Sequence, residues 1–162
     1  SILIIGPKHT NVGPDWSIAP CGQWLLPNSE PFPADSSLVR SISERVEGIE
    51  LDASAHAGEH AIEVMLPVLE GLQPSERPSI SAIVLRGATL QEIQKFSEQL
   101  ASVLAELPEL PLLVISSDLN HYQPEAENRR RDELALEAMA TGNAEHLLET
   151  CRKNDISMCG VV

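Results

Sequence analysis

The chain has 162 residues, with 24 Asp and Glu against 11 Lys and Arg, a net charge of −13, and 43% apolar but only 3% aromatic content. That balance fits a single packed domain with an aliphatic core and excludes disorder driven by charge, while the acid excess works against nucleic acid or an anionic membrane, which bind clustered Lys and Arg. No apolar run approaches the roughly 20 residues of a membrane helix, and the scattered cysteines Cys21, Cys151 and Cys159 form no secreted disulfide framework, so a cytoplasmic protein without disulfides is expected.

In chain order, Ile2–Ile5 is a β-branched and Leu run stopped by Gly6-Pro7, which reads as a buried strand. The proline-rich stretch from Gly6 to Pro33 reads as a long ordered loop, the kind that carries function. Asp35, Ser36 and Ser37 are capping residues for a helix with Leu38, Ile42 and Val46 on one face, ended by Gly48. Ile49–Leu51 is a short strand that opens into His56 and His60. Ile62, Met65, Leu66 and Leu69 then keep helical spacing through Pro67, which should kink or break the helix.

Ile80–Leu85 is the next strand. Thr89–Leu107 is the best-marked helix, with Thr89 and Glu92 as a capping box. Pro108 and Pro111 bracket the turn into Leu112–Ser116, apolar enough to be a central strand of a parallel sheet. Helices over 128–140 and 143–153 precede an irregular tail. The first begins at a basic run, Arg129-Arg130-Arg131, whose flanking acids mark it as a solvated face. Strands alternating with helices specify an α/β fold, a mainly parallel or mixed central sheet flanked by helices, and ligands gather at the carboxyl ends of such strands. A strand at the second residue, and an end soon after Cys159, suggest one domain over 1–162 truncated on both sides.

Three histidine-bearing segments each follow a strand. His9 comes after Ile5, His56 and His60 after Leu51, and Asp118 and His121 after Ile115. In a parallel sheet these loops would emerge together. His56-Ala57-Gly58-Glu59-His60 has the letters of the inverted zinc-peptidase motif, but that motif needs an unbroken helix and Gly58 interrupts it. Asp118 and His121, three apart, suit a carboxylate that orients an imidazole, or a simple turn cap. Gly160 after Cys159 allows close backbone approach, although a cysteine is often only a small apolar side chain. Cys21, Cys151 and His146 read as a loop thiol, helix packing and surface.

Taken in order, Gly6-Pro7-Lys8-His9, Glu59-His60-Ala61-Ile62-Glu63 with Leu66-Pro67, Ser116-Ser117-Asp118-Leu119-Asn120-His121-Tyr122 and Ile156-Ser157-Met158-Cys159-Gly160 resemble the successive signatures of the Memo family, known in prokaryotes as AmmeMemoRadiSam system protein B. The match covers nearly the whole chain. The family is similar to class III LigB-type extradiol dioxygenases, non-haem Fe(II) enzymes with an α/β fold. The resemblance therefore implies a metal pocket with His9 and Cys159 as ligands, Asp118 and His121 beside them, and His121 as acid/base. His60 and Glu63 match a signature without an assigned role, and His56 is a further pocket residue. The family's A-P-H-A-G-Y segment, with its other ligating histidine, is not in this sequence, and Ala61 stands where members often carry Ser. A divalent transition metal is implied, Fe(II) first and Zn or Cu next, since a thiolate in place of a carboxylate adds a softer donor. Two functions follow: a metal-dependent redox enzyme acting on a small molecule, or a non-catalytic module that binds a peptide or protein.

Overall fold

The computed structural model describes residues 1–72 and 76–161. The last residue of the expected irregular tail lies outside the described residues. The chain divides into two compact units, Ser1–Ser116 and Ser117–Val162.

The first unit is built on a five-stranded sheet in the order β5-β2-β6-β1-β7, made by β1 (Ile2–Pro7), β2 (Trp16–Ile18), β5 (Glu50–Leu51), β6 (Ile80–Leu85) and β7 (Leu112–Ile115). β1 lies parallel between β6 and β7, with Ile2 opposite both Ile80 and Leu112. β2 runs antiparallel to β6 and β5 runs parallel to β2, so the sheet is mixed. A two-stranded ribbon, β3 (Gln23–Trp24) and β4 (Phe32–Pro33), forms a second, separate sheet.

Side chains alternate across β1 and β6, which are buried along their whole length. Leu3, Ile5, Ile83 and Leu85 point to one face and pack with Leu38 and Ile42 of α1 (Ser36–Arg45) and with Phe96, Leu100 and Val103 of α3 (Leu90–Ala105). Ile2, Ile4, Ala82 and Val84 point to the other, against Phe32, Ile62, and Leu66 and Leu69 of α2 (Met65–Gly71). Asp35 caps α1 by accepting from the Leu38 amide at 3.0 Å. Both halves of the Thr89 and Glu92 capping box are formed at α3.

Three sequence expectations need correction. The stretch from Gly6 to Pro33 is not one loop: it contributes β2 to the sheet, and β3 and β4. Pro67 neither kinks nor breaks a helix, because α2 starts at Met65 and Pro67 falls in its first turn, where an N–H would have no helical acceptor; residues 61–64 are turn. β7 is an edge strand rather than a central one, with Leu112, Leu113 and Ile115 exposed.

The second unit is a pair of helices, α4 (Glu125–Ala140) and α5 (Ala144–Lys153). They enclose a small core of Ala135, Cys151, Ile156 and Met158, with Leu134 and Leu147 packed on it. Asn143 caps α5. Arg129 and Arg130 pair with Glu125 and Glu127 on the exposed face of α4. Among the described residues, no helix is long and apolar enough to cross a membrane.

Candidate functional site

In the first unit the candidate side chains meet where two segments cross. The loop after β1 carries His9, and the turn over 52–61 carries His56, Glu59 and His60. β1 is extended one residue by the Lys8 amide, which donates to the Leu85 carbonyl at 2.8 Å. The buried Lys8 ammonium then reaches forward to the Thr10 carbonyl at 2.8 Å, and the Arg86 guanidinium donates to the same oxygen at 3.2 Å. Two cations on one carbonyl fix the backbone directly after His9.

The turn is pinned in its own way. Asp52 accepts from the Ser54 hydroxyl at 2.5 Å and the Ala55 amide at 2.8 Å, and these bonds, the hydroxyl first, hold its carboxyl below the ordinary range. Glycine permits the crossing. A Cβ on Gly6 would lie 3.0 Å from the Ala61 Cβ, and one on Gly13, whose φ is +71°, would lie 2.7 Å from the Ala55 amide nitrogen.

At the crossing sits Glu59, whose side chain is only 1% exposed. Its Oε2 accepts from the His9 amide at 2.5 Å and the Thr10 amide at 3.3 Å. Its Oε1 accepts from the amides of His60 and Ala61 at 2.9 and 3.1 Å, and lies 2.9 Å from His9 Nδ1. Burial alone would raise this carboxyl, but the His9 ring and the amides of His9 and Ala61 outweigh it and hold the pKa down at about 2. The His60 ring stacks on that of His9 with centroids 4.5 Å apart and planes 23° apart, and turns its Nδ1 to within 3.4 Å of the same Oε1. One ligand-type atom from each of His9, Glu59 and His60 lies within 4.8 Å of the others.

His56 and Glu63 occupy the adjoining cleft of about 210 Å³, which Trp24, Glu59 and Leu66 also line. Both ring nitrogens of His56 are buried without a hydrogen-bond partner among the described residues, and burial pushes its imidazole down toward the neutral form. Gly58, at φ +78°, breaks the backbone between His56 and His60, and residues 54–58 are turn. The two histidines do not share a helix face, and the peptidase geometry is absent.

The second unit brings together the other three sequence candidates. The Asp118 amide points at the Cys159 sulfur at 3.0 Å, while the Asp118 carboxylate lies 3.3 Å from His121 Nε2. His121 Nδ1 is 2.7 Å from the Ser157 carbonyl, which can only accept, so that nitrogen carries a proton. With an acceptor on each ring nitrogen the imidazolium is favoured, and the Ser157 carbonyl first, then Asp118, raises the His121 pKa. Asn120, nearly buried, braces the loop: it accepts from the Ser157 amide at 3.0 Å and donates to Asn128 at 2.6 Å. Gly160 donates to the Ser117 hydroxyl at 2.9 Å. His146 is exposed on α5 and Cys151 is buried in the helix-pair core.

The residue that sequence reasoning missed is Glu59. It enters the sequence only as a letter of the peptidase pattern and of a family signature, and the His9 and Thr10 groups that it joins to its own turn lie 50 and 49 positions away.

These features define an α/β protein with two stacked imidazoles on a buried carboxylate, past the carboxyl end of a central parallel strand. The Memo-like protein family matches residues 1–162, and the chain belongs to that family. It is 34% identical over 160 residues to a MEMO1 family protein of Ignicoccus hospitalis, covering 99% of this chain and 55% of that one. It is 32% identical over 160 residues to one of Desulfurococcus amylolyticus, covering 99% and 56%, and 29% identical over 161 residues to one of Sulfurisphaera tokodaii, again covering 99% and 56%. The chain thus spans about half the length of these relatives.

Proposed function

We propose that this chain is the metal-binding part of a Memo-like protein with a non-haem dioxygenase type of pocket, working on a small molecule in a cytoplasmic, reducing setting. The observation that carries the reading is the group of His9 and His60 stacked over Glu59, with ligand-type atoms within 4.8 Å of one another. The histidines fit such an ion: imidazoles suit Fe(II), Zn and Cu, and a pair of them leaves coordination positions open. His9 is half-open to solvent at 36% side-chain exposure and His60 more so at 58%, so their free nitrogens can be reached.

A divalent ion bound here would supply Lewis acidity and, if it is Fe(II), a place for dioxygen. The family resemblance adds Cys159 as a donor. It also gives His121 the acid/base task, for which its two acceptors, the Ser157 carbonyl and Asp118, keep a transferable proton on the ring. The odd number and scattered positions of Cys21, Cys151 and Cys159 support a reducing compartment.

Metal content of protein prepared without oxygen and passed through gel filtration tests the proposal, with His9→Ala, His60→Ala and Cys159→Ser in parallel. Loss of Fe or Zn in the His9 variant is the expected result, and the Cys159 variant reads the share of the thiolate. Wild type without metal after incubation with Fe(II) or Zn(II) would refute the reading and leave the chain as a binding module for a peptide or protein.

A further inference from the structure

We infer that Glu59 is a positioning residue, not a ligand: its carboxylate holds His9 as the Nδ1–H tautomer and so makes Nε2 the atom of His9 that binds metal. This rests on the metal reading of the His9 and His60 pair, and it concerns which atoms of that group do what. Proximity alone would count Glu59 as a third ligand, because its oxygen lies within the same 4.8 Å group. Its hydrogen bonds argue otherwise.

A carboxylate has two oxygens and about four lone-pair sites. Five N–H groups already converge on those of Glu59: the amides of His9, Thr10, His60 and Ala61, and the His9 ring. Turning an oxygen onto an ion would strip two or more of these donors inside the protein, where an orphaned amide pays its full desolvation cost. The side chain is also shut away from the surface through which an ion must arrive, in contrast to both histidines.

An ionised carboxylate only accepts, so the proton between it and His9 belongs to Nδ1, and the lone pair of the neutral ring is on Nε2. The His60 ring brings Nδ1 to within 3.4 Å of the same oxygen without a hydrogen bond, so the tautomer is set at His9 alone. The two amides on Oε2 come from the loop of His9, and the two on Oε1 from the turn of His60. Glu59 therefore sets not only a tautomer but the spacing of the two rings. Carboxylates placed behind a ligating imidazole in this way typically contribute 10- to 100-fold in metal affinity without touching the metal.

The test is nuclear magnetic resonance of the imidazole nitrogens in the metal-free full chain, labelled with ¹⁵N at histidine and held at about pH 8, where an ordinary imidazole is neutral. His9 is expected to show a protonated Nδ1 and an unprotonated Nε2. On addition of Zn(II), Nε2 should shift to a coordinated value while the Nδ1 proton stays. In Glu59→Gln the His9 ring should drift toward the mixture of tautomers of a free imidazole, and Zn(II) affinity should drop 10- to 100-fold. Since Glu59→Gln removes buried bonds and can unfold the chain, the wild-type tautomer is the deciding measurement. A protonated Nε2 on His9 in the wild type, or Zn(II) bound through Nδ1, overturns the assignment. Wild type that takes up no Zn(II) overturns the metal reading instead, and the metal-free tautomer still decides the role of Glu59.

Discussion

Glu59→Gln should cost the metal-free protein roughly 3 to 5 kcal/mol at neutral pH, and part of that cost should disappear in acid. The carboxyl has a folded pKa of about 2 against an ordinary 4.5, a gap equivalent to about 3 kcal/mol. The glutamine keeps one carbonyl oxygen but turns an NH₂ onto amides that donate, so at least one pair of buried donors loses its acceptor, at about 1–3 kcal/mol per group. A depressed carboxyl stabilises the fold fully above its unfolded pKa and loses that contribution as the pH falls toward its folded value. The linked stability should therefore decline by about 0.8 kcal/mol at pH 4 and about 2 kcal/mol at pH 3, whereas glutamine does not titrate. Other acids titrate in both proteins and cancel in the difference. Urea unfolding followed by circular dichroism, with chelator present, at several pH values between 7 and 3 measures the gap. A gap below about 1 kcal/mol at pH 7 would refute the account of the buried carboxylate. So would a large gap that stays flat in acid, because the linked group would then lie elsewhere.

Gly6→Ala should destabilise the protein by about 1–3 kcal/mol, since its Cβ meets the Ala61 Cβ at 3.0 Å; adding Ala61→Gly should recover much of the loss, and additive effects in urea unfolding would exclude direct contact as the cause. The raised pKa of His121, set first by the Ser157 carbonyl and then by Asp118, means a stabilising contribution that is complete below the unfolded value and is lost as the pH rises through the folded one. Proton titration of the ring by magnetic resonance should place it above 6.5, and Asp118→Asn should lower it while leaving the Ser157 part in place. Thr89→Ala removes the hydroxyl that accepts the Glu92 amide at the start of α3 and should cost about 1 kcal/mol by urea unfolding.

What could be read from the sequence follows the range of the physics involved. Ile80–Leu85 and α3 are legible because their signals are local: a short, largely apolar run in the first case, a capping box and an apolar stripe in the second. β2 was hidden because Trp16, Ser17 and Ile18 are too few to alternate and lie among prolines and glycines. β7 and β6 look alike as apolar runs, since a run does not encode whether a strand has one neighbour or two. Strand direction also misled. β5 runs opposite to β1, so His60 reaches His9 because the turn over 52–61 climbs back toward the end of β1, not because parallel strands share an edge. Asp118 and His121 were legible as a pair because they are three residues apart. Glu59 was not, because the His9 ring and two of the four amides it accepts from lie about fifty residues away.

The outer edge of β7 has a consequence for handling the molecule. Leu112, Leu113 and Ile115 are 60%, 47% and 57% exposed, Val114 lies between them, and no described strand pairs with their free side. Four consecutive aliphatic residues on an open edge are a template for intermolecular cross-β pairing, and the run contains no lysine, proline or glycine as a gatekeeper. Pro111 guards only its entrance. The strongly negative net charge opposes self-association at low salt, but screening shrinks that repulsion to within about 10 Å at 0.1 M salt, and the sticky edge is then left to dictate colloidal behaviour.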